Sequence, residues 1–436
     1  MDKQRPAWIS TVPVFAAAAL VILCRSLDAF IHPVSGWEDA TQGLNFYSSD
    51  DAGVLHFYAG YVSVLPNVVD YLAVRWLPLV CVPAIQAWFA LLVASSVAPA
   101  TFGFLRNALV WPRRRTILAA VLVAVLPWGD VAAVSNTEYS IWAMLAVTLL
   151  TLFNPVPDHR TGAAGYLLWR MLFLSSNPVC AVAAPFWLGL AVVRRHKPNA
   201  VVVYMLLVAT TIVYVRFGVG HGPTPAFHLN RVPTILDTAL RLATEKSLLV
   251  LVLRDVLRTN LSALGIPTLL GLLLGTSMLI AFLHAYGRRD IMRAVAEIGI
   301  VLGWIALISL ACAFGRGTGN GEAFVLASPR YHYVPQILWL LLMAIFASDV
   351  YRVAAQSRRR RRILGIAVLA CIFLMWQKGT KSYRSDNAVQ SRAIAVFLAT
   401  ADANAKIGKH EYGRFGRVGH DGDWSILIGG DRQRGD

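Results

Sequence analysis

Long apolar runs separated by short basic clusters set the pattern of this chain. The runs cover roughly residues 8–27, 78–98, 116–134, 139–153, 163–177, 178–193, 199–217, 263–285, 294–314, 333–350 and 363–376. A helix needs about 20 predominantly apolar residues to cross a hydrocarbon core about 30 Å thick. The pattern therefore predicts an all-α integral membrane protein, a polytopic bundle of about eleven transmembrane helices with helical outer loops.

Composition sharpens the picture. Of 436 residues, 57% are hydrophobic and 15% charged, and the mean hydropathy is +0.56. A soluble domain averages about 25% charged residues, so a soluble enzyme, a disordered chain and a disulfide-stapled secreted domain are excluded as classes. The formal charge of +16 would suggest nucleic acid in a soluble protein. Here the basic residues punctuate apolar runs, so they are read as topology signals and no nucleic-acid partner is expected. The five cysteines, Cys24, Cys81, Cys180, Cys312 and Cys371, form no CxxC pair and no Cys/His cluster, so neither structural zinc nor a disulfide framework is expected.

Alternate connections are basic. With the N-terminus in the cytoplasm, the inner segments carry Lys3 and Arg5, Arg106 with Arg113 to Arg115, Arg160, Arg194 to Lys197, Arg288 to Arg293, and Arg352 with Arg358 to Arg362. The first outer loop, 28–57, has no Lys or Arg but carries Asp28, Glu38, Asp39, Asp50 and Asp51. This asymmetry predicts a multi-pass protein of the inner cell membrane. The first run is read as an uncleaved signal anchor. The C-terminal tail then lies outside; it carries ten Lys/Arg, and long tails escape the charge rule.

Two parts follow: a bundle over 1–376 with outer loops 28–76 and 218–262, and an outer tail over 377–436. Pro66, Asp70 and Arg75 interrupt the end of the first loop, so 67–76 is read as a helix at the membrane surface. Within 234–260, apolar Leu236, Leu240, Ala243 and Leu249 to Leu253 alternate with Asp237, Arg241 and Glu245 at i, i+4 spacing. That reads as an interfacial amphipathic helix. The tail is expected to hold a short helix over 388–403 and then a small fold containing the apolar patch Trp424–Ile428.

The acids cluster outside. Glu38 and Asp39 lie side by side in the first outer loop, where one carboxylate can face a site while the other braces the chain. A carboxylate at a dry membrane edge can take a proton from a hydroxyl. Asp130 lies within a turn of a span edge, beside Pro127 and Gly129. Asp50 and Asp51, with no third carboxylate nearby, make a poor divalent-metal site, so no metal or other cofactor is expected. Tyr58, Tyr61, Tyr331 and Tyr333 read as interfacial belt aromatics or as sugar-stacking rings. Asn136 and Trp142 either line a substrate cavity or serve as a helix cap and a belt aromatic.

Four elements in order carry a resemblance: Glu38-Asp39, Gly60-Tyr61-Val-Ser-Val-Leu65-Pro66, Asn136-Thr137-Glu-Tyr-Ser-Ile-Trp142, and Arg330-Tyr331-His332-Tyr333-Val-Pro335. Together they resemble the bacterial GT-C-type polytopic glycosyltransferases that use polyprenyl-phosphate sugars. Ala40 stands where that family commonly has Gly, and Asn67 where it commonly has Arg. The resemblance implies a GT-C-like bundle that moves a sugar from a polyprenyl-phosphate donor to an envelope polysaccharide or lipid-linked acceptor. It implies Asp39, or else Glu38, as general base, with inversion at the anomeric carbon. Arg330, with Tyr331 and His332, would face the leaving phosphate, and Tyr58, Tyr61, Asn136 and Trp142 the substrate cavity. For Arg330 an interfacial anchor is the other reading. The competing function is a transporter or lipid-linked-saccharide flippase. Transport asks for ionisable groups deep in several spans and for broken helices in paired halves.

Overall fold

The computed structural model describes residues 7–35, 43–47, 53–54, 57–58, 61–107, 111–126, 135–151, 160–177, 229–249, 266–285, 291–320, 325–326, 330–354, 387–405, 411–415 and 424–428, with isolated positions between. The described residues are predominantly helical. In order come α1 (Ala7–Arg25), α2 (Leu27–Ile31), a helical turn at Asn45–Tyr47, strands β1 (Phe57–Tyr58) and β2 (Tyr61–Val62), α3 (Val64–Trp76), α4 (Val82–Ser95), α5 (Val97–Asn107) and α6 (Arg113–Val125). Then follow α7 (Ser140–Thr151), α8 (Arg160–Leu174), α9 (Val232–Arg241), a π-helical segment (Leu242–Leu249), α10 (Ile266–Ala285), α11 (Ile291–Asn320), α12 (Arg330–Ala354), α13 (Asn387–Ala405), and strands β3 (Glu411–Phe415) and β4 (Trp424–Ile428). The strands form two antiparallel pairs.

Among the described residues, three helical stretches are long and apolar enough to cross a membrane: Leu79–Asn107, Ile298–Gly315 and Arg330–Ser348. The runs expected at 178–193 and 199–217 lie outside the described residues, apart from isolated positions. The chain divides into two compact units, Met1–Trp111 with Asp130–Thr224 and Tyr383–Asp436, and Pro112–Gly129 with Pro225–Ser382.

In the first unit, α7 is the centre. Every residue from Ser140 to Thr151 is buried, packed by α4, α5 and α8. A helix apolar on all sides is buried all round, so Trp142 is a core residue rather than a belt aromatic. Its start and end are both tied by side chains. The Asn136 Oδ1 accepts the Tyr139 N–H at 3.0 Å, satisfying a donor that the first turn leaves free. At the other end, buried Arg170 of α8 donates to the carbonyls of Thr148, at 2.9 Å, and Thr151, and to the Tyr166 hydroxyl at 2.7 Å. Its guanidinium also lies over the Tyr166 and Trp169 rings. A cation at a helix C-terminus answers both the orphan carbonyls and the helix dipole.

The expected tail helix is α13, and it is part of this unit's core. Its Ile394, Leu398 and Ala401 are buried with Leu44, Tyr47, Ala73, Val74, Leu79 and Val82. The late apolar patch is β4, paired with β3.

In the second unit, α9 packs on α11, and α12 packs on α11 and on the π-helical segment. A π-helix shifts the backbone ladder to i→i+5, and α12 supplies donors to two of its carbonyls. Trp339 Nε1 donates to Ala243 O at 2.7 Å, and Gln336 Nε2 to Lys246 O at 3.2 Å. Donors and acceptors are each three residues apart, so the two helical faces match in register. Gly271 of α10 permits the close approach of that helix, since a Cβ there would lie 2.9 Å from the Thr244 Cβ.

The 234–260 region departs from the expected polarity. Side-chain exposure falls from 58% at Asp237 through 26% at Arg241 to 2% at Glu245, while Leu236 and Leu240 are exposed. The acidic stripe turns inward because Arg241 and Lys246 both pair with the buried Glu245 carboxylate, at 3.4 and 3.0 Å. A buried charge is tolerated only when paired.

Replacing Arg170 by Met should cost about 2–4 kcal/mol, because the buried Thr151 carbonyl then loses its guanidinium donor and the Thr148 carbonyl keeps only the Thr151 hydroxyl at 3.3 Å. Arg170→Lys, which lacks the planar fork, should recover only part of it. Thermal unfolding in detergent measures both, and a Met variant as stable as wild type would contradict this capping role.

Candidate functional site

Glu38 and Asp39, the expected bases, lie outside the described residues, as do Asp50, Asp51 and Asp130. The residues that bracket the acidic pair are described, and they converge on one buried polar group. Before it, the Ser35 hydroxyl donates to Gln86 Oε1. After it, Gly43 rests on Asp70. A Cβ at position 43 would lie 2.6 Å from Asp70 Oδ2 and 3.0 Å from Gln86 Nε2, so only glycine allows the chain so close. Gln86 joins the two sides, donating from Nε2 to Asp70 Oδ1 at 2.9 Å.

Local sequence explains why these groups meet. Pro66 sits in the first turn of α3, where a missing N–H is tolerated. Leu65 N–H of that turn donates to Ser176 Oγ at 3.0 Å, and Ser176 in turn donates to Leu172 O at the end of α8. Held there, α3 turns Asp70, Ala73 and Val74 inward and leaves Leu72 and Trp76 exposed. Pro83 opens α4, and Gln86 then faces α3. Asp70 is fully buried, and its Oδ2 has no hydrogen-bond partner among the described residues. Burial pushes its carboxyl up to about 7, an effect that the Gln86 hydrogen bond only partly offsets.

The remaining expected residues fall into three places. Tyr58 and Tyr61 are paired backbone positions in the β1–β2 ladder. Asn136 and Trp142 belong to α7, the first as its cap and the second in the core. Arg330, Tyr331 and His332 open α12 in the second unit. The Arg330 guanidinium lies 5.2 Å from the centre of the Tyr331 ring, and Tyr331 and His332 are buried. His332 hydrogen-bonds to the backbone at Val325 and Leu326 and has the Lys246 charge nearby. With Gln336 and Trp339 it follows i, i+4, i+7 spacing, the α12 stripe that meets the π-helical segment. Among the described residues no group of three His, Cys, Asp or Glu is placed to hold a metal ion.

Chemically, the first unit offers a buried carboxyl group with an ionisation near neutrality, fixed under both ends of an acidic segment. The second offers cations, Arg241, Lys246 and Arg330, grouped on elements that pack together, with one buried carboxylate between two of them. The sequence reading used Asp70 only as an argument against a span, and Gln86, Arg170 and Lys246 were missed. The available signal was polar residues inside otherwise apolar helices. No protein-family model matches the chain, and no curated protein matches it.

The Asp70 value has a consequence for stability. The folded value lies above the ordinary one of 3.8, so the native chain holds this proton more tightly than the unfolded chain. The favourable contribution is complete below about pH 4 and is lost as pH rises to about 7. Relative to wild type, Asp70→Asn should therefore gain stability across that interval, reaching about 4 kcal/mol above it. Thermal unfolding against pH checks this; parallel profiles for the two proteins would contradict an ionising buried carboxyl at position 70.

Proposed function

We propose that the chain is a membrane glycosyltransferase with a GT-C-like bundle of about eleven spans. It transfers a sugar from a polyprenyl-phosphate donor to an envelope polysaccharide or lipid-linked acceptor on the outer face of the inner membrane. The four ordered motifs support this reading. The single structural observation in its favour is the anchoring of both ends of the 36–42 segment on Asp70 and Gln86. A general base must be held within hydrogen-bond reach of the proton it removes, and a segment fixed at both ends suits that need.

In this mechanism Asp39 accepts the proton of an acceptor hydroxyl, with Glu38 bracing the loop. The oxygen attacks the anomeric carbon, the bond to the phosphate oxygen breaks on the opposite face, and configuration inverts. The departing phosphate gains charge. Arg330, whose planar fork matches phosphate, balances that charge, with Tyr331 and His332 shaping the donor site. Tyr58, Tyr61, Asn136 and Trp142 belong to the substrate cavity in this reading, Asn136 and Trp142 from the start of α7. Transport would call for unengaged ionisable groups within the helices. Of the buried ionisable groups described here, Arg170 and Glu245 are committed to backbone carbonyls and to two cations, while Asp70 is engaged through one oxygen only.

Membranes supplied with radiolabelled polyprenyl-phosphate sugars test the reading. Asp39→Asn should reduce transfer about 10²–10⁴-fold, the span of general-base contributions, and Arg330→Lys should be clearly slower than wild type. Full transfer by both Asp39→Asn and Glu38→Gln would overturn the catalytic assignment. Orientation is checked with Asp50→Cys in a chain lacking its five native cysteines. An impermeant thiol reagent should label intact cells, and labelling only after permeabilisation would reverse the topology.

A further inference from the structure

We infer that Asp70 is a positioning residue: through Gln86 and Ser35 on one side and Gly43 on the other, its carboxyl group clasps together the two ends of the 36–42 segment. The inference rests on the proposed reading of that segment as the carrier of the catalytic base.

Three observations carry it. The hydrogen-bonded chain Ser35–Gln86–Asp70 is buried at every member, so each link is made in low dielectric, where losing a partner is expensive. The approach of Gly43 leaves no room for a side chain over the carboxyl. The tail helix α13 holds the same two ends by other means. Ser391 Oγ donates to Pro33 O at 3.0 Å, and Ile394 and Leu398 are buried with Leu44 and Tyr47. Two devices thus fix residues 33–35 and 43–47, one polar and sensitive to a proton, the other a single hydrogen bond at Pro33 and apolar packing at Leu44 and Tyr47.

A clasp built on an acid rather than an amide has a direction. Neutral Asp70 carries no charge to desolvate and still accepts from Gln86. Ionised, it buries a negative charge whose Oδ1 receives one amide donor and whose Oδ2 receives none among the described residues. The titratable or charged side chains described on the elements packed against α3 are Tyr47, Cys81, Tyr166 and Arg170, with Tyr71 and Arg75 on α3 itself. Arg170 is committed to the carbonyls of α7. Ionisation therefore weakens the hold on the segment, and the clasp is tighter at lower pH.

Hydrogen–deuterium exchange of the full chain in detergent, corrected for intrinsic rates, reads the clasp directly in peptides covering 33–47. In wild type the exchange of these peptides should rise about tenfold between about pH 6 and pH 8.5, on either side of the Asp70 ionisation. Asp70→Asn, which keeps an acceptor for Gln86, should show no such rise. Gly43→Ala and Gln86→Leu should each raise exchange there about tenfold, the equilibrium equivalent of one lost hydrogen bond, while peptides of α7 stay unchanged. A wild-type profile independent of pH, or Gly43→Ala exchanging as wild type does, would overturn the clasp. In the transfer assay, Asp70→Asn should extend activity to higher pH through kcat with KM little changed. If wild type transfers no sugar while the exchange pattern holds, the glycosyltransferase reading falls and the clasp stands.

Discussion

Polar groups enclosed by apolar side chains must find their partners within the chain, and that constraint organises this protein. With so little charge to spread over its surface, the chain cannot leave helix ends and interior carboxylates to water. Several buried polar side chains are therefore satisfied from nearby elements. Asn136 and Arg170 complete the two ends of α7. Ser176 accepts from the start of α3. Gln336 and Trp339 serve carbonyls of the π-helical segment, and Glu245 is held between two cations. Asp70 is only half satisfied: Gln86 donates to its Oδ1, and its Oδ2 has no partner among the described residues.

An incompletely satisfied buried acid is destabilising, and such groups persist where strain is part of a mechanism. Here it lies under the ends of the segment that carries Glu38 and Asp39. The tail helix reinforces the same place, so the most distant part of the sequence contributes to the scaffold of the first loop. The residues on either side of the acidic pair, 33–35 and 43–47, are thereby held by elements drawn from residues 64–95 and 387–405.

The sequence pattern made much of the helical layout legible. The first run corresponds to α1, the run at 139–153 to α7, and the tail helix expected at 388–403 to Asn387–Ala405. These elements are written in local periodicity and length. What escaped depends on distant partners. Asp70 and Gln86 lie on different helices, and their meeting follows from the Ser176 anchor of α3, which has no sequence signature. Arg170 reads as an ordinary basic residue until the end of α7 is known. Glu245 fits a polar stripe by spacing, and only its pairing with Arg241 and Lys246 turns that stripe inward. Asn136 carried two readings, and the hydrogen bond to Tyr139 assigns its side chain to the cap.

The central claim is that an acid of the first outer loop activates an acceptor for direct displacement at a polyprenyl-phosphate sugar. Its most direct measurement is the anomeric configuration of the product formed by the purified chain in lipid vesicles, read by nuclear magnetic resonance. The account predicts transfer with inversion. Retention of configuration, or no transfer from any polyprenyl-phosphate sugar offered, would contradict it.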